Sequence, residues 1–273
     1  MSALPQATAI TARWGGILFG LGTHALFGLT VWRLFLFLQS PADGLWAGNQ
    51  ATNLLLSLLF VVPHSLLLHP SIRDRLTWIA GPFYGCFYTL VTIACLWCCF
   101  LGWRKDPLVL WQVPGVAAYM IQACFLGSWV ALFYSIRLTG FGWQTGWTPW
   151  LAWFRGEPPP RRGFNPTGAY RYFRHPVYLS FLGLLWFSPV MTLDRAILVG
   201  TWTVYIFAGS LLKDQRLHFY LGDRYRDYQQ QVPGYPLLGF GPWGRLAKDE
   251  EKPSTADAAV HTKPAAEVHR RAA

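Results

Sequence analysis

The residues Gly168 to Gly183 read GAYRYFRHPVYLSFLG. They set Arg171, Arg174 and His175 among the rings of Tyr170, Tyr172, Phe173 and Tyr178, at the entrance of an apolar run. Pro176 pushes His175 toward an extended conformation and starts a helix, since proline is favoured at the first helical position. The free N–H groups of that helix start point back at Arg174 and His175, which makes an anion site. The rings add flat faces for a planar group or a cation. A ligand with a carboxylate, an aromatic base and a positive centre suits this doorway, and S-adenosylmethionine has all three. A second reading stands beside it: basic and aromatic residues at a helix entrance also serve as membrane anchors.

The elements that must position these residues follow from composition. The chain has 273 residues, 53% of them hydrophobic and only 13% charged. A soluble domain carries about twice that charged fraction, so these values place the chain among membrane proteins. The formal charge of +10 would fit nucleic acid, but the basic residues lie between apolar runs, as membrane-flanking charge does. We therefore expect no nucleic-acid partner. The first apolar run is long enough to remain as a helix, so no cleaved signal peptide is expected.

Six spans are expected: Trp14 to Leu38, Ala51 to Leu68, Phe83 to Trp103, Val116 to Ile136, Val177 to Met191 and Arg195 to Leu212. The last two form a hairpin turning at Thr192-Leu193-Asp194, each barely long enough to cross about 30 Å. Of the 23 lysines and arginines, Arg104, Lys105 and Arg195 alone fall in external turns, and Arg33 lies inside the first span. That bias puts both termini in the cytoplasm and fits the cell inner membrane. Two long cytoplasmic segments result. One contains GWTPWLAWFRG, which reads as an interfacial segment with tryptophans at headgroup depth. The other, KDQRLHFYLGDRYRDYQQQVP from Lys213, reads as a short amphipathic helix stopped at Val232-Pro233. The expected fold is all-α and polytopic, with a membrane domain over residues 1–244. Residues 245–273 are expected to form a disordered cytoplasmic tail.

The order RHPVY, short hairpin, RLHFYLGDRYRDYQQQVP resembles the isoprenylcysteine carboxyl methyltransferase superfamily of membrane enzymes. Its pattern is R-H-P-x-Y, a helical hairpin, E-E-x-x-L, then F-G-x-x-Y-x-x-Y-x-x-x-V-P. Arg174, His175, Pro176 and Tyr178 match the first part, and Leu217, Gly222, Tyr225, Tyr228, Val232 and Pro233 the last. The motif region spans residues 168–236. PHSLLLHPSIRDRL after the second span, Phe154 to Gly156 and WFSPVMT bring the chain closest to the methanethiol S-methyltransferase and NnrU-like branch. The resemblance departs at the acidic pair, where this chain has Lys213-Asp214, and at Leu221-Gly222 in place of Phe-Gly.

The resemblance implies S-adenosylmethionine as methyl donor and a small thiol or other lipophilic substrate as acceptor, in contact with membrane lipids. Methyl transfer from a sulfonium needs alignment and exclusion of water and no metal. A nearby cation favours the nucleophilic thiolate. The implied donor-binding residues are Tyr170, Arg174, His175, Pro176, Tyr178, Asp214, Tyr225 and Tyr228. His175, Asp214 and Arg216 are the implied catalytic residues, with Arg224 a second way to orient the acceptor. Residues 213 and 214 point about 100° apart on a helix. Three placements stay open. Asp214 faces the ligand, Lys213 faces it and repels the donor, or Lys213 lies outside on lipid phosphate.

Other polar residues fall within spans, where ionisable groups are costly. NnrU-like relatives include haem-binding isomerases, so His24 and His64 are candidate axial ligands. The plainer expectation is that His64, between Pro63 and Ser65, bonds a neighbouring backbone group. Sterol and enone reductases of related membrane fold, and a non-catalytic relative, are the remaining alternatives. Cys95, Cys98 and Cys99 share a helix face and read as small packing residues.

Overall fold

The protein is described by a computed structural model over residues 6–39, 46–161 and 163–247. In chain order the helices are α1 (Gln6–Gln39), α2 (Gln50–Leu68), α3 (Pro70–Ala80), α4 (Tyr84–Gly102), α5 (Gly115–Thr139), α6 (Phe141–Gln144) and α7 (Trp147–Arg155). They continue with α8 (Pro176–Trp186), α9 (Leu193–Leu221) and α10 (Asp223–Gln231). Four short strands are β1 (Trp46–Ala47), β2 (Arg104–Lys105), β3 (Val109–Gln112) and β4 (Val190–Thr192).

Among the described residues, five helices are long and apolar enough to cross a membrane. They are Arg13–Gln39, Gln50–Leu68, Gly81–Gly102, Gly115–Thr139 and Leu193–Leu221. The chain is an all-α polytopic membrane protein. Helix α2 packs on α4 and α9, α1 on α4, and α5 on α8. Phe37, Phe100, Trp103, Phe125, Trp129, Leu184 and Trp202 fill the centre. Leu18, Trp32, Leu55, Val130 and Val204 stand exposed on the outside of the spans, where a lipid-facing surface has to be apolar.

The strands gather the loops at one end of the bundle. β1 pairs in parallel with β2, and β3 pairs antiparallel with β4. Buried Asn53 holds this end by donating to the Arg104 carbonyl at 2.7 Å and accepting from the Arg104 N–H at 2.8 Å. At the opposite end, α7 tucks beneath α1. Trp150 is 3% exposed, and its indole N–H donates to the Gly16 carbonyl at 3.0 Å. A Cβ on Gly20 would fall 2.0 Å from that indole, so only glycine admits the ring. Within this segment Trp150 is thus a packing residue under α1.

The C-terminal hairpin differs from expectation at three points. The helix expected over 177–191 ends at Trp186 after 11 residues, about 16 Å of rise. Pro189 removes a helical donor and keeps Ser188 out of the helical region. The β-branched Val190 and Thr192 then pair with Gln112 and Val109. The second helix does not stop at Leu212; α9 runs 29 residues to Leu221. The expected amphipathic helix from Lys213 is thus divided at Gly222, whose φ is +53°, a conformation that favours glycine. Its first part belongs to α9 and its second is α10. The expected tail lies almost wholly in 248–273, outside the described residues.

Candidate active site

The doorway forms where α8 starts, α9 emerges and α10 folds back. His175 precedes Pro176 with φ −122° and ψ 48°. The backbone N–H of Arg174 donates to the Pro233 carbonyl at 2.8 Å, and that of His175 to the Gly234 carbonyl at 3.1 Å. The Gly/Pro-rich segment after α10 is thereby laid across the start of α8.

Arg174 is 1% exposed. Its Nε donates to Asp214 Oδ2 at 3.1 Å, and Nη2 lies 3.0 Å from the same oxygen. Nη1 donates to the carbonyls of Val232 at 2.7 Å and Gly244 at 3.0 Å, and Nη2 to that of Pro242 at 2.9 Å. A guanidinium has five N–H donors, and four are taken by these hydrogen bonds, the Nη2–Oδ2 contact adding an ion pair. The expected role as anchor for a ligand carboxylate does not fit this geometry. Arg174 is instead a buried clamp between α9 and the segment Val232 to Gly244.

Asp214 is equally engaged. Its Oδ1 accepts from the Tyr225 hydroxyl, and Oδ2 takes a longer contact from Gln229 at 3.5 Å. Tyr225 is fully buried, and the Tyr228 hydroxyl donates to the Tyr170 carbonyl. Burial, with the Asp214 carboxylate beside it, pushes the Tyr225 hydroxyl well above its usual range. Burial does the same at Tyr228. Both phenols stay neutral donors. Phe164 stacks edge-on against both rings. Arg224 donates to the Phe164 carbonyl at 2.6 Å, so Arg224 holds the preceding loop.

Lys213 does not reach outward to lipid. Its Nζ donates to the Arg174 carbonyl at 2.8 Å and lies 5.5 Å and 5.9 Å from the ring centroids of Tyr170 and Tyr178. Both members of the Lys213-Asp214 pair thus face inward, Asp214 into the clamp and Lys213 toward the tyrosines beside the α8 start.

His175 is satisfied on one side only. The ring has no exposed surface; Nε2 has the Asp214 carboxylate as its partner, 3.3 Å from Oδ2, while Nδ1 has no hydrogen-bond partner among the described residues. Burial is the largest influence and lowers its pKa to about 4, against the opposing pull of Asp214. The ring therefore stays neutral at ordinary pH. Tyr178 and Tyr235 flank it, at centroid distances of 5.6 Å and 5.2 Å. The Tyr235 hydroxyl is also buried, beside the Ser210 hydroxyl. The Tyr178 hydroxyl donates to the Gly209 carbonyl at 3.2 Å.

Arg216 stands apart from the clamp, half-buried on α9. The two intramembrane histidines occupy different clusters. His24 bonds the Gly20 carbonyl at 2.8 Å and rests on Trp147. His64 meets the Tyr88 hydroxyl at 2.9 Å and Thr92 Oγ1 at 3.4 Å. Its partners are thus side chains, not the neighbouring backbone expected from sequence, and the two imidazoles share no neighbour among these contacts. A cleft of about 640 Å³ lined by Arg13, Gly16, Phe19, Phe83 and Trp153 contains none of the expected site residues.

The sequence reading missed Tyr235, Gln229 and the carbonyls of Val232, Pro242 and Gly244. The signal was the Gly/Pro-rich run VPGYPLLGFGPWG. Such a run forms little regular structure, so its carbonyls need donors from elsewhere when buried.

The chain is 30% identical over 229 residues to methanethiol S-methyltransferase 1 of Bradyrhizobium diazoefficiens, covering 79% of each chain. It is 30% identical over 186 residues to a methanethiol S-methyltransferase of Mycobacterium tuberculosis, covering 66% of this chain and 75% of the relative. Nurim of Xenopus laevis is 26% identical over 157 residues, covering 54% of this chain and 55% of the relative. No protein-family profile matches the chain, and no solved structure matches it. The extent of the first of these similarities, together with the RHPVY doorway and the helices that build it, places the chain in the methanethiol S-methyltransferase family of isoprenylcysteine carboxyl methyltransferase-like membrane proteins.

Proposed function

We propose that this protein is an integral membrane methyltransferase that transfers a methyl group from S-adenosylmethionine to methanethiol, releasing dimethyl sulfide. The observation that carries this reading is the similarity to methanethiol S-methyltransferase 1 across 79% of both chains. The activity resides in the membrane domain of residues 1–244.

The residues beside the α8 start fit a polar donor. His175 Nδ1 is buried without a hydrogen-bond partner among the described residues, a state that a bound polar group relieves. The donor's carboxylate lies at the α8 N-terminus, where the helix dipole and the Lys213 ammonium both favour an anion. Tyr178 and Tyr170 flank the adjoining space. Arg174, Asp214, Tyr225 and Tyr228 are positioning residues that hold the floor of this site. S-adenosylmethionine supplies an already activated methyl group, so the protein's part is alignment, exclusion of water and stabilisation of a thiolate. The purified protein is expected to form dimethyl sulfide from methanethiol and S-adenosylmethionine, read by headspace gas chromatography. No product from protein that binds NADPH or haem would overturn this reading.

The orientation belongs to the same proposal. Both termini face the cytoplasm, and the site opens at the cytoplasmic surface of the cell inner membrane. A reporter fused after Ala273 is expected to score cytoplasmic, and one inserted between Asp106 and Pro107 external. The reverse pattern would put the site on the wrong face.

A further inference from the structure

The clamp and the donor site leave a second polar cluster in the apolar bundle without a role. His64 on α2 shares a hydrogen bond with Tyr88 on α4 at 2.9 Å. Its ring lies 6.2 Å from that of Tyr205 on α9, edge to face. Tyr205 is tied in turn to Ser65 at 3.4 Å. Arg216, further along α9, is within electrostatic reach of His64, Tyr88, Tyr178 and Tyr205. Unlike Arg174, Arg216 makes no hydrogen bond or ion pair among the described residues, although it is half-buried. Ionisable groups in a membrane bundle are costly and are retained at ligand sites or in pairs. A half-buried guanidinium within electrostatic reach of phenols and an imidazole is an arrangement that an anion completes.

The cluster adjoins the donor site. Tyr205, Gly209, Lys213 and Arg216 fall on one stripe of α9 at helical spacing. A Cβ on Gly209 would lie 3.5 Å from Tyr178 and 3.7 Å from Tyr205, so both rings close over this glycine. Tyr178 therefore touches both regions, with His175 on one side and the His64 cluster on the other. Phe60, tilted against His64 and Trp202 at centroid distances of 5.2 Å and 5.1 Å, supplies apolar surface for a short alkyl group.

We propose that His64, Tyr88, Tyr205 and Arg216 form the acceptor subsite, which takes a small alkyl thiol as its thiolate. This rests on the methyltransferase reading. The S–H proton passes to a ring nitrogen of His64, and Arg216 stabilises the sulfur anion. The thiolate's electron pair forms the new S–C bond to the donor methyl. The sulfonium C–S bond breaks, and its electron pair stays on the donor sulfur, which becomes a neutral thioether. One negative and one positive charge cancel, and His64 later releases its proton to water. The apolar wall favours alkyl thiols over thiols bearing a second charge.

The test uses full-length protein in detergent micelles, with thiocyanate as a sulfur-anion probe at constant ionic strength. Thiocyanate is expected to raise the melting temperature of the wild type. Arg216→Gln is expected to weaken its affinity at least tenfold and Arg216→Lys to restore most of it. Binding of S-adenosylhomocysteine should change less than twofold in both. With methanethiol as substrate, kcat/KM of the wild type is expected to stay level above neutral pH. In His64→Gln it should rise about tenfold per pH unit, following the free thiolate. Tyr88→Phe, which keeps the ring, provides a second variant with a raised KM for thiol and an unchanged KM for donor. An active wild type whose Arg216→Gln and His64→Gln variants keep its thiol KM and pH profile would overturn the subsite and leave the methyltransferase reading standing. A wild type without turnover would overturn that reading, and the thiocyanate arm then decides the subsite alone. Arg216-dependent binding supports an anion pocket, and equal binding in Arg216→Gln overturns it.

Discussion

Arg174→Ala is expected to destabilise the protein by about 3–5 kcal/mol, the range for breaking a buried ion pair from one side. The substitution leaves the Asp214 carboxylate buried with the Tyr225 hydroxyl and the distant Gln229 amide as its remaining hydrogen-bond donors. It also orphans the carbonyls of Val232, Pro242 and Gly244. An ammonium cannot span these acceptors as a planar fork does, so Arg174→Lys should recover only part of the loss. Replacing both charges, Arg174→Met with Asp214→Leu, should cost less than the sum of the single changes, because no lone charge stays buried. Equilibrium unfolding in mixed micelles measures the wild type, Arg174→Ala, Arg174→Lys, Arg174→Met, Asp214→Leu and the double variant. If Arg174→Ala unfolds within about 1 kcal/mol of wild type while binding of S-adenosylmethionine collapses, Arg174 is a ligand contact and the clamp is secondary.

The same residue shows what the sequence could reveal. Pro176 announced the helix start, and the RHPVY spacing placed Arg174 and His175 at its entrance, where the structure has them. The carbonyls that hold Arg174 lie up to 70 residues further along, in a run whose glycines and prolines carry no periodicity. Hydrophobic period reports which face of an element is buried, not which distant carbonyl meets a given donor. The long spans were legible for the opposite reason, since each satisfies its own backbone and needs only a sufficient apolar length. The short α8 was legible too, through Pro189, but the apolar run outweighed it. The pairing of His64 with Tyr88 depends on how α2 meets α4, which spacing within either helix does not contain. Trp150 illustrates the converse. Its place under α1 rests on the missing side chain of Gly20, and nothing local links the two positions.

Lowering the pH is expected to destabilise the protein through His175 before most carboxylates titrate. The ring has no exposed surface, and its pKa falls from the ordinary 6.5 to about 4. Burial contributes most, with the Lys213 and Arg174 charges adding to it, while the contact with Asp214 pulls the other way. Tyr178 and Tyr235, the aromatic neighbours, are neutral throughout this range. Between these two pH values the unfolded chain binds a proton that the folded chain refuses. Stability from this group is therefore complete above pH 6.5 and is lost as the pH falls toward 4. One pKa unit corresponds to about 1.4 kcal/mol, so the loss between pH 7.5 and pH 5 is about 2 kcal/mol. The chain has seven histidines, and His175→Gln isolates this one because glutamine keeps a polar group there without a proton to gain. Unfolding free energies of both proteins at pH 7.5, 6.5, 5.5 and 5 make the comparison. The wild-type curve should fall more steeply, with the two diverging by about 2 kcal/mol at the acid end. Parallel curves would mean that the folded protein admits a proton to this ring as readily as the unfolded chain does. His175 would then be an open, hydrated group and not the neutral, buried donor contact assigned to it.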